Sequence, residues 1–182
     1  MKKIIVTGGL GFIGSNLIEL LLKKKYKVIN VDKVTYSSNF YNVRDFRKNR
    51  NYSFIKCDIS NKKLSKIFNK YKPVGIFNIA AETHVDRSID SPESFIKSNI
   101  IGVFNILEIF KEFSKKNKKS KLIHISSTSV YGKQTKLVDE NCEKKYLKPQ
   151  SPYADIKLIE ERMLIKERKN LRYNTFRFGT IS

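Results

Sequence analysis

The sequence predicts an α/β domain with a doubly wound parallel sheet, and three observations carry that prediction. Six short apolar runs, rich in β-branched residues, alternate with segments of helical periodicity. The runs are near-continuously apolar, as strands buried on both faces require. A cluster of glycines sits where the first run turns into the first helical segment, Thr7-Gly8-Gly9-Leu10-Gly11-Phe12-Ile13-Gly14.

Lys3 to Thr7, with Ile4, Ile5 and Val6, is the first strand, and Phe12, Ile13, Leu17 and Leu21 have the spacing of the helix that follows. Lys27 to Asp32 is the second strand, Tyr52 to Cys57 the third and Val74 to Ala80 the fourth, with a helix at Lys62 to Tyr71 between the last two. A long helix is expected from Ser94 to Phe113, where Phe95, Ile96, Val103, Leu107 and Phe110 return every three or four residues. A strand at Lys121 to Ser126, a helix at Ser151 to Arg168 and a strand at Arg172 to Phe178 complete the alternation. The polar, Asn-rich stretch 33–51 is the longest irregular region and reads as a functional loop.

At 182 residues the chain is sized for one domain over 1–182, and 40% hydrophobic with 30% charged residues is a globular composition. No stretch reaches the ~20 apolar residues of a membrane span, since the run Leu17 to Leu22 is broken by Glu19. Gly8 and Gly9 cut short any leader-like segment, so the expected location is the cytoplasm and no membrane partner is expected. Cys57 and Cys142 form no Cys-x-x-Cys pair, which leaves them as reduced bystanders and gives no metal site. The formal charge of +20 admits a second class of function, a lysine-rich nucleic-acid-binding protein. However, the tightest cluster, Lys115, Lys116, Lys118, Lys119 and Lys121, has no interleaved aromatics for base stacking. A solvated lysine-rich surface without a specific nucleic-acid partner is the simpler reading.

The glycine cluster fits a nucleotide site. Glycines such as Gly8, Gly11 and Gly14 let the backbone turn tightly and approach a pyrophosphate, while the helix beginning at Phe12 and Ile13 presents free N–H groups to the anion. Asp32, 18 residues beyond Gly14 at the end of the second strand, is placed to accept both ribose hydroxyls, which selects NAD over NADP. Together these are the marks of a dinucleotide-binding Rossmann arrangement. Tyr153 and Lys157 share one helix face, and an ammonium beside a phenol favours the phenolate, a base for an alcohol proton as hydride leaves the carbon. Ser126-Ser127-Thr128-Ser129 closes the fifth strand at the sheet edge where open α/β folds bind ligands.

These motifs resemble the extended short-chain dehydrogenase/reductase family, within it the NAD-dependent nucleotide-sugar epimerases and dehydratases. The resemblance rests on TGGLGFIG at 7–14, Asp32, Asp58-Ile59, AAETHVDRS at 80–88, SSTSVYG at 126–132 and SPYADIK at 151–157. VDKVTYSSN at 31–39 and AETHVDRSI at 81–89 are most similar to the dTDP-glucose 4,6-dehydratases. It implies NAD as cofactor, a nucleotide-diphosphate sugar as substrate and chemistry through a 4-keto intermediate. Ser127, Tyr153 and Lys157 would be the catalytic set; Lys33, Asp58 and Ile59 would join the cofactor contacts, with Ala80, Ala81 and Thr83 along the cofactor. Thr83, Ser127 and Thr128 would meet the sugar. Asn99 would be the family's structural or proton-relay Asn, or else a capping or solvent-facing residue. His84 and Asp86 read as a hydrogen-bonded loop without chemistry.

Two departures matter. Where the dehydratases carry Asp and Glu after the catalytic hydroxyl, this chain has Thr128 and Ser129, which do no acid–base work near pH 7. This tilts the expected reaction toward an epimerase and leaves dTDP-glucose 4,6-dehydratase activity or an inert nucleotide binder as alternatives. The family also continues beyond the point corresponding to Ser182, so the chain is expected to be a truncated cofactor-binding portion lacking the carboxy-terminal substrate region. A homodimer is expected through the helices at 94–113 and 151–168, whose Ile100, Ile101, Phe104, Ile106, Leu158, Met163, Leu164 and Ile165 exceed a single buried stripe.

Overall fold

A computed structural model describes residues 1–135, 138–139 and 144–179. Six strands form one parallel sheet: β1 (Lys3–Thr7), β2 (Lys27–Asp32), β3 (Tyr52–Lys56), β4 (Gly75–Asn78), β5 (Lys121–Ser127) and β6 (Tyr173–Phe178), in the order β3-β2-β1-β4-β5-β6. The doubly wound parallel architecture expected from the alternation is present. Its helices are α1 (Phe12–Lys23), α2 (Leu64–Tyr71), α3 (Val85–Asp90), α4 (Pro92–Phe95), α5 (Gly102–Lys116) and α6 (Pro152–Lys166).

Side-chain alternation along the strands builds two cores. In β1, Ile5 joins Ile29, Phe68, Phe110 and Leu164 on one face of the sheet, while Ile4 and Val6 join Ile18, Leu21, Val28 and Val43 on the other. The chain order reverses between β1 and β4. A crevice therefore opens at their carboxyl ends, the place where ligands of open α/β sheets bind.

Four expectations change. The long helix begins at Pro92, not Ser94, and runs to Lys116 with a π-helical insert at Ile96–Ile101 that heptad-like spacing does not reveal. His84 and Asp86 lie at the start of a helical turn, α3, and not in a loop. Within 33–51, Phe40–Val43 forms a 3-10 turn capped by the Asn39 side chain. Of the residues assigned to a surplus apolar face, Ile106, Leu158 and Leu164 are core, whereas Ile101, Phe104 and Ile165 are exposed. Cys142 lies outside the described residues. Among the described residues no helix is long and apolar enough to cross a membrane, and no cluster of His, Cys, Asp or Glu is placed to hold a metal.

Candidate active site

The crevice is a cleft of about 1000 Å3 that runs from the glycine turn, past the ends of β2 and β4, to the start of α6. Gly8 ends β1 with φ +71, and a Cβ there would stand 2.8 Å from the Ala80 backbone nitrogen. At Gly14 a Cβ would meet the Gly8 carbonyl at 2.3 Å, so the loop and α1 close on each other only with glycine. Gly11 caps α1, no side chain caps that helix and no acid occupies its first turn. The positive end of α1 is thus left to whatever anion enters.

Asp32 is buried at the end of β2. Its Oδ2 accepts from the Leu10 N–H at 3.0 Å, and its Oδ1 accepts from the Val34 N–H and the Ser38 hydroxyl, both at 2.8 Å. These bonds fix the carboxylate and leave one acceptor site, on Oδ2, to receive a ribose hydroxyl. They also hold Val34 at φ +63, a conformation costly for a β-branched residue. Lys33 points back toward the π-helical insert, where it donates to Ser98 and pairs with Glu82 Oε1 at 3.0 Å. Asn99 is fully buried and clamps Glu82, accepting from its N–H at 2.8 Å and donating to its carbonyl at 3.0 Å. In this chain Asn99 is neither a cap nor solvent-facing. Above Glu82, burial and the neighbouring carboxylate push the Tyr36 phenol above its ordinary pKa, and the Arg87 guanidinium stacks 4.0 Å from the Tyr36 ring centre.

At the other end of the cleft, Ser127 closes β5 and its Oγ accepts from the Ser129 N–H at 3.1 Å and the Ser129 hydroxyl at 2.8 Å. Tyr153 and Lys157 face the same cleft from α6, whose start is capped by Ser151 and whose Tyr153 N–H donates to Ser88 Oγ on α3. Lys157 Nζ lies 6.0 Å from the Tyr153 ring centre. Ser126 also lines the cleft, and its buried hydroxyl has no hydrogen-bond partner among the described residues.

One cleft therefore brings together Gly8, Gly11, Phe12, Ile13, Gly14, Asp32, Lys33, Ile59, Ala80, Ala81, Thr83, Ser127, Thr128, Tyr153 and Lys157. Asp58 stands apart: its carboxylate accepts from the N–H and hydroxyl of Ser60, both at 2.8 Å, and its neighbour Cys57 lines the cleft instead. Thr128 is exposed, with its hydroxyl toward the Phe178 carbonyl at 3.4 Å. Sequence reasoning missed Ser98 and Glu160, and it named Glu82 and Ser126 only as members of their motifs, with no role of their own. Only Glu160 left a signal, as an acid one helical turn beyond Lys157.

The family model for GDP-mannose 4,6 dehydratase matches residues 5–180. The chain belongs to that family. It is 36% identical over 171 residues to a dTDP-glucose 4,6-dehydratase of Neisseria meningitidis serogroup B, covering 90% of this chain and 48% of the relative. The fold is similar to the NAD complex of a UDP-glucose 4-epimerase from Brucella ovis (TM-score 0.85, 27% identity, 99% of this chain and 52% of that one). It is also similar to the NAD complex of a dTDP-glucose 4,6-dehydratase from Bacillus anthracis (TM-score 0.80, 34% identity, 97% and 54%). The chain thus spans about half the length of the family members it matches.

Proposed function

We propose that this chain forms the cofactor-holding part of an NAD-dependent enzyme that modifies nucleotide-diphosphate sugars through a 4-keto intermediate. The observation that carries this reading is the convergence of the glycine turn, Asp32 and the Ser127, Tyr153 and Lys157 set on one cleft. NAD fits the residues present: an uncapped helix end for the pyrophosphate and a fixed carboxylate for the ribose. When bound, it supplies the acceptor for the hydride from C4 of the sugar. Tyr153 takes the C4 hydroxyl proton, the Ser127 hydroxyl holds that oxygen, and Thr83 and Thr128 flank the sugar. Titration with NADH and NADPH tests the cofactor assignment; tighter binding of NADPH, or binding of neither, overturns it.

After the first step, epimerisation needs only that the 4-keto sugar turn over and take hydride back on its other face. Dehydration needs a base at C5 and an acid at C6, and general acid–base groups contribute ~10²–10⁴-fold each. Thr128 and Ser129 supply neither, so epimerisation is preferred. The names of the matched dehydratases favour the second reading, 4,6-dehydration of dTDP-glucose. Because those relatives are about twice as long, residues 1–182 alone are expected to bind NAD and turn over no sugar. Product analysis therefore uses a fusion to the carboxy-terminal half of a matched dehydratase, with dTDP-glucose as substrate. A 4-keto-6-deoxy product would refute the preference for epimerisation. The reading also places the chain in the cytoplasm, as a homodimer through the helices at 94–113 and 151–168, on which Ile96, Ile101, Phe104 and Ile165 are exposed. The +20 charge then marks a solvated surface, and duplex DNA should bind only weakly, with salt erasing the association.

A further inference from the structure

Lys157 has a partner that the proposed reaction does not use. Its Nζ donates to Glu160 Oε2 at 2.9 Å and to the Ile125 carbonyl at 3.3 Å. Glu160 is 0% exposed and Lys157 3%, so this is a buried ion pair at the cleft floor. The same Oε2 lies 2.9 Å from His124 Nε2, out of line for a hydrogen bond.

A directional chain of bonds settles the charge of the group behind the pair. The Thr7 hydroxyl accepts from the Ile79 and Ala80 N–H groups and donates to Asn78 Oδ1 at 2.7 Å. The Asn78 amide nitrogen then faces His124 Nδ1 at 3.1 Å and must donate to it. Nδ1 being an acceptor, the ring proton sits on Nε2 and the imidazole is neutral. The floor of the cleft therefore holds one ammonium and one carboxylate, with no net charge.

Oxidised NAD carries one positive charge more than reduced NAD, on the ring that exchanges hydride. A lone Lys157 ammonium would repel it; the Lys157–Glu160 pair does not. We propose that Glu160 is a positioning residue that holds Lys157 in place and balances its charge, so that the cleft accepts the oxidised cofactor without penalty. This rests on the NAD reading above.

The test is calorimetric titration of NAD+ and NADH into the unaltered chain, Glu160→Gln, Lys157→Gln and the double variant. Loss of one unit charge behind the ring that exchanges hydride, at an effective dielectric constant of about 20, predicts that Glu160→Gln weakens NAD+ about tenfold while NADH changes less than about threefold. Lys157→Gln should move the NAD+ to NADH affinity ratio in the opposite direction, and the double variant should restore it. Circular dichroism identifies which variants fold, and either single variant decides alone. Equal effects on both cofactor forms, or an equal shift in Glu161→Gln on the next residue of α6, would overturn the inference. Failure of the unaltered chain to bind either form overturns the NAD reading itself.

Discussion

Gly8 and Gly11 belong to one turn but do different work, and alanine substitutions separate the two. At Gly8 the φ of +71 costs a residue with a Cβ roughly 1–2 kcal/mol. The added Cβ would also stand 2.8 Å from both the nitrogen and the Cα of Ala80, backbone atoms of β4's extension that cannot swing aside. Overpacking of that kind costs about 1–3 kcal/mol. The lost freedom of the unfolded chain returns about 0.4–1 kcal/mol. Gly8→Ala should therefore cost about 2–4 kcal/mol, a large part of the 5–15 kcal/mol typical of a domain. Gly11 has φ −77, and a Cβ there meets only the Gly8 carbonyl, at 3.4 Å. Its loss as a helix cap, about 0.5–1 kcal/mol, is offset by the same unfolded-state term. Gly11→Ala should leave stability within about 0.5 kcal/mol but put a methyl group where an anion approaches the end of α1. Urea unfolding and NADH titration read the two effects: Gly8→Ala loses both, Gly11→Ala loses binding alone. A Gly8→Ala chain as stable as the parent, or a Gly11→Ala chain that binds NADH normally, would refute this account of the turn.

Asp32→Asn removes the charge that would repel a 2′-phosphate, so the preference for NADH over NADPH should narrow by about tenfold in parallel titrations. Stability should also fall, by about 1–3 kcal/mol, because the amide can no longer accept all three of its bonds from Leu10, Val34 and Ser38. Hydrogen bonds from the Asn170 amide and Lys111 hold the Glu167 carboxyl below its ordinary pKa. The stabilisation this brings is present above the ordinary carboxylate range and fades as pH falls through the lowered value, so Glu167→Gln should flatten the acid limb of a thermal-stability profile. Lys111, raised by the same bond, loses its share as pH rises through its own pKa. Phe104→Glu places a charge on an apolar patch that is 56% exposed at that residue, and should give a monomer by sedimentation at tens of micromolar if the chain pairs there.

The sheet was legible because every strand is a short apolar run between clear stops, and β1 to β6 fall within two residues of their expected limits. The glycine turn and Asp32 were legible for a related reason: both are local, set by backbone conformation and by position at a strand end. What escaped was set by contacts distant in sequence. The π-helical insert places Ser98 beside Lys33 and Asn99 against Glu82, and no periodicity within the helix announces partners 65 and 17 residues away. The surplus apolar face was overcounted for the same reason, since Ile106 and Leu164 pack against the sheet from two helices that both lean on one core. His124 reads as an interruption in an apolar strand, and its purpose appears only when Asn78 and Glu160 close around it.

The segment 127–129 is where the overall likeness to dehydratases and the local chemistry part, and its hydrogen bonds say what it does instead. Ser127 Oγ is an acceptor twice over, from the N–H and the hydroxyl of Ser129, which leaves its own proton as the group it can offer outward. A hydroxyl so arranged is a donor, suited to a developing 4-keto oxygen. Thr128 is turned to the Phe178 carbonyl. On the proposed reading, Ser129 supports the step that epimerisation and dehydration share, and neither hydroxyl replaces the acid and the base that dehydration needs. Ser129→Ala removes one neutral hydrogen bond worth about 0.5–1.5 kcal/mol, so single-turnover reduction of bound NAD in the fused enzyme should slow by about twofold to tenfold. Ser129→Glu would supply a carboxylate at the position the dehydratases use, yet at the expense of Ser127's orientation, and should slow the same step without producing a 6-deoxy sugar. Faster hydride transfer in either variant would mean that Ser129 restrains Ser127 and does not aim it.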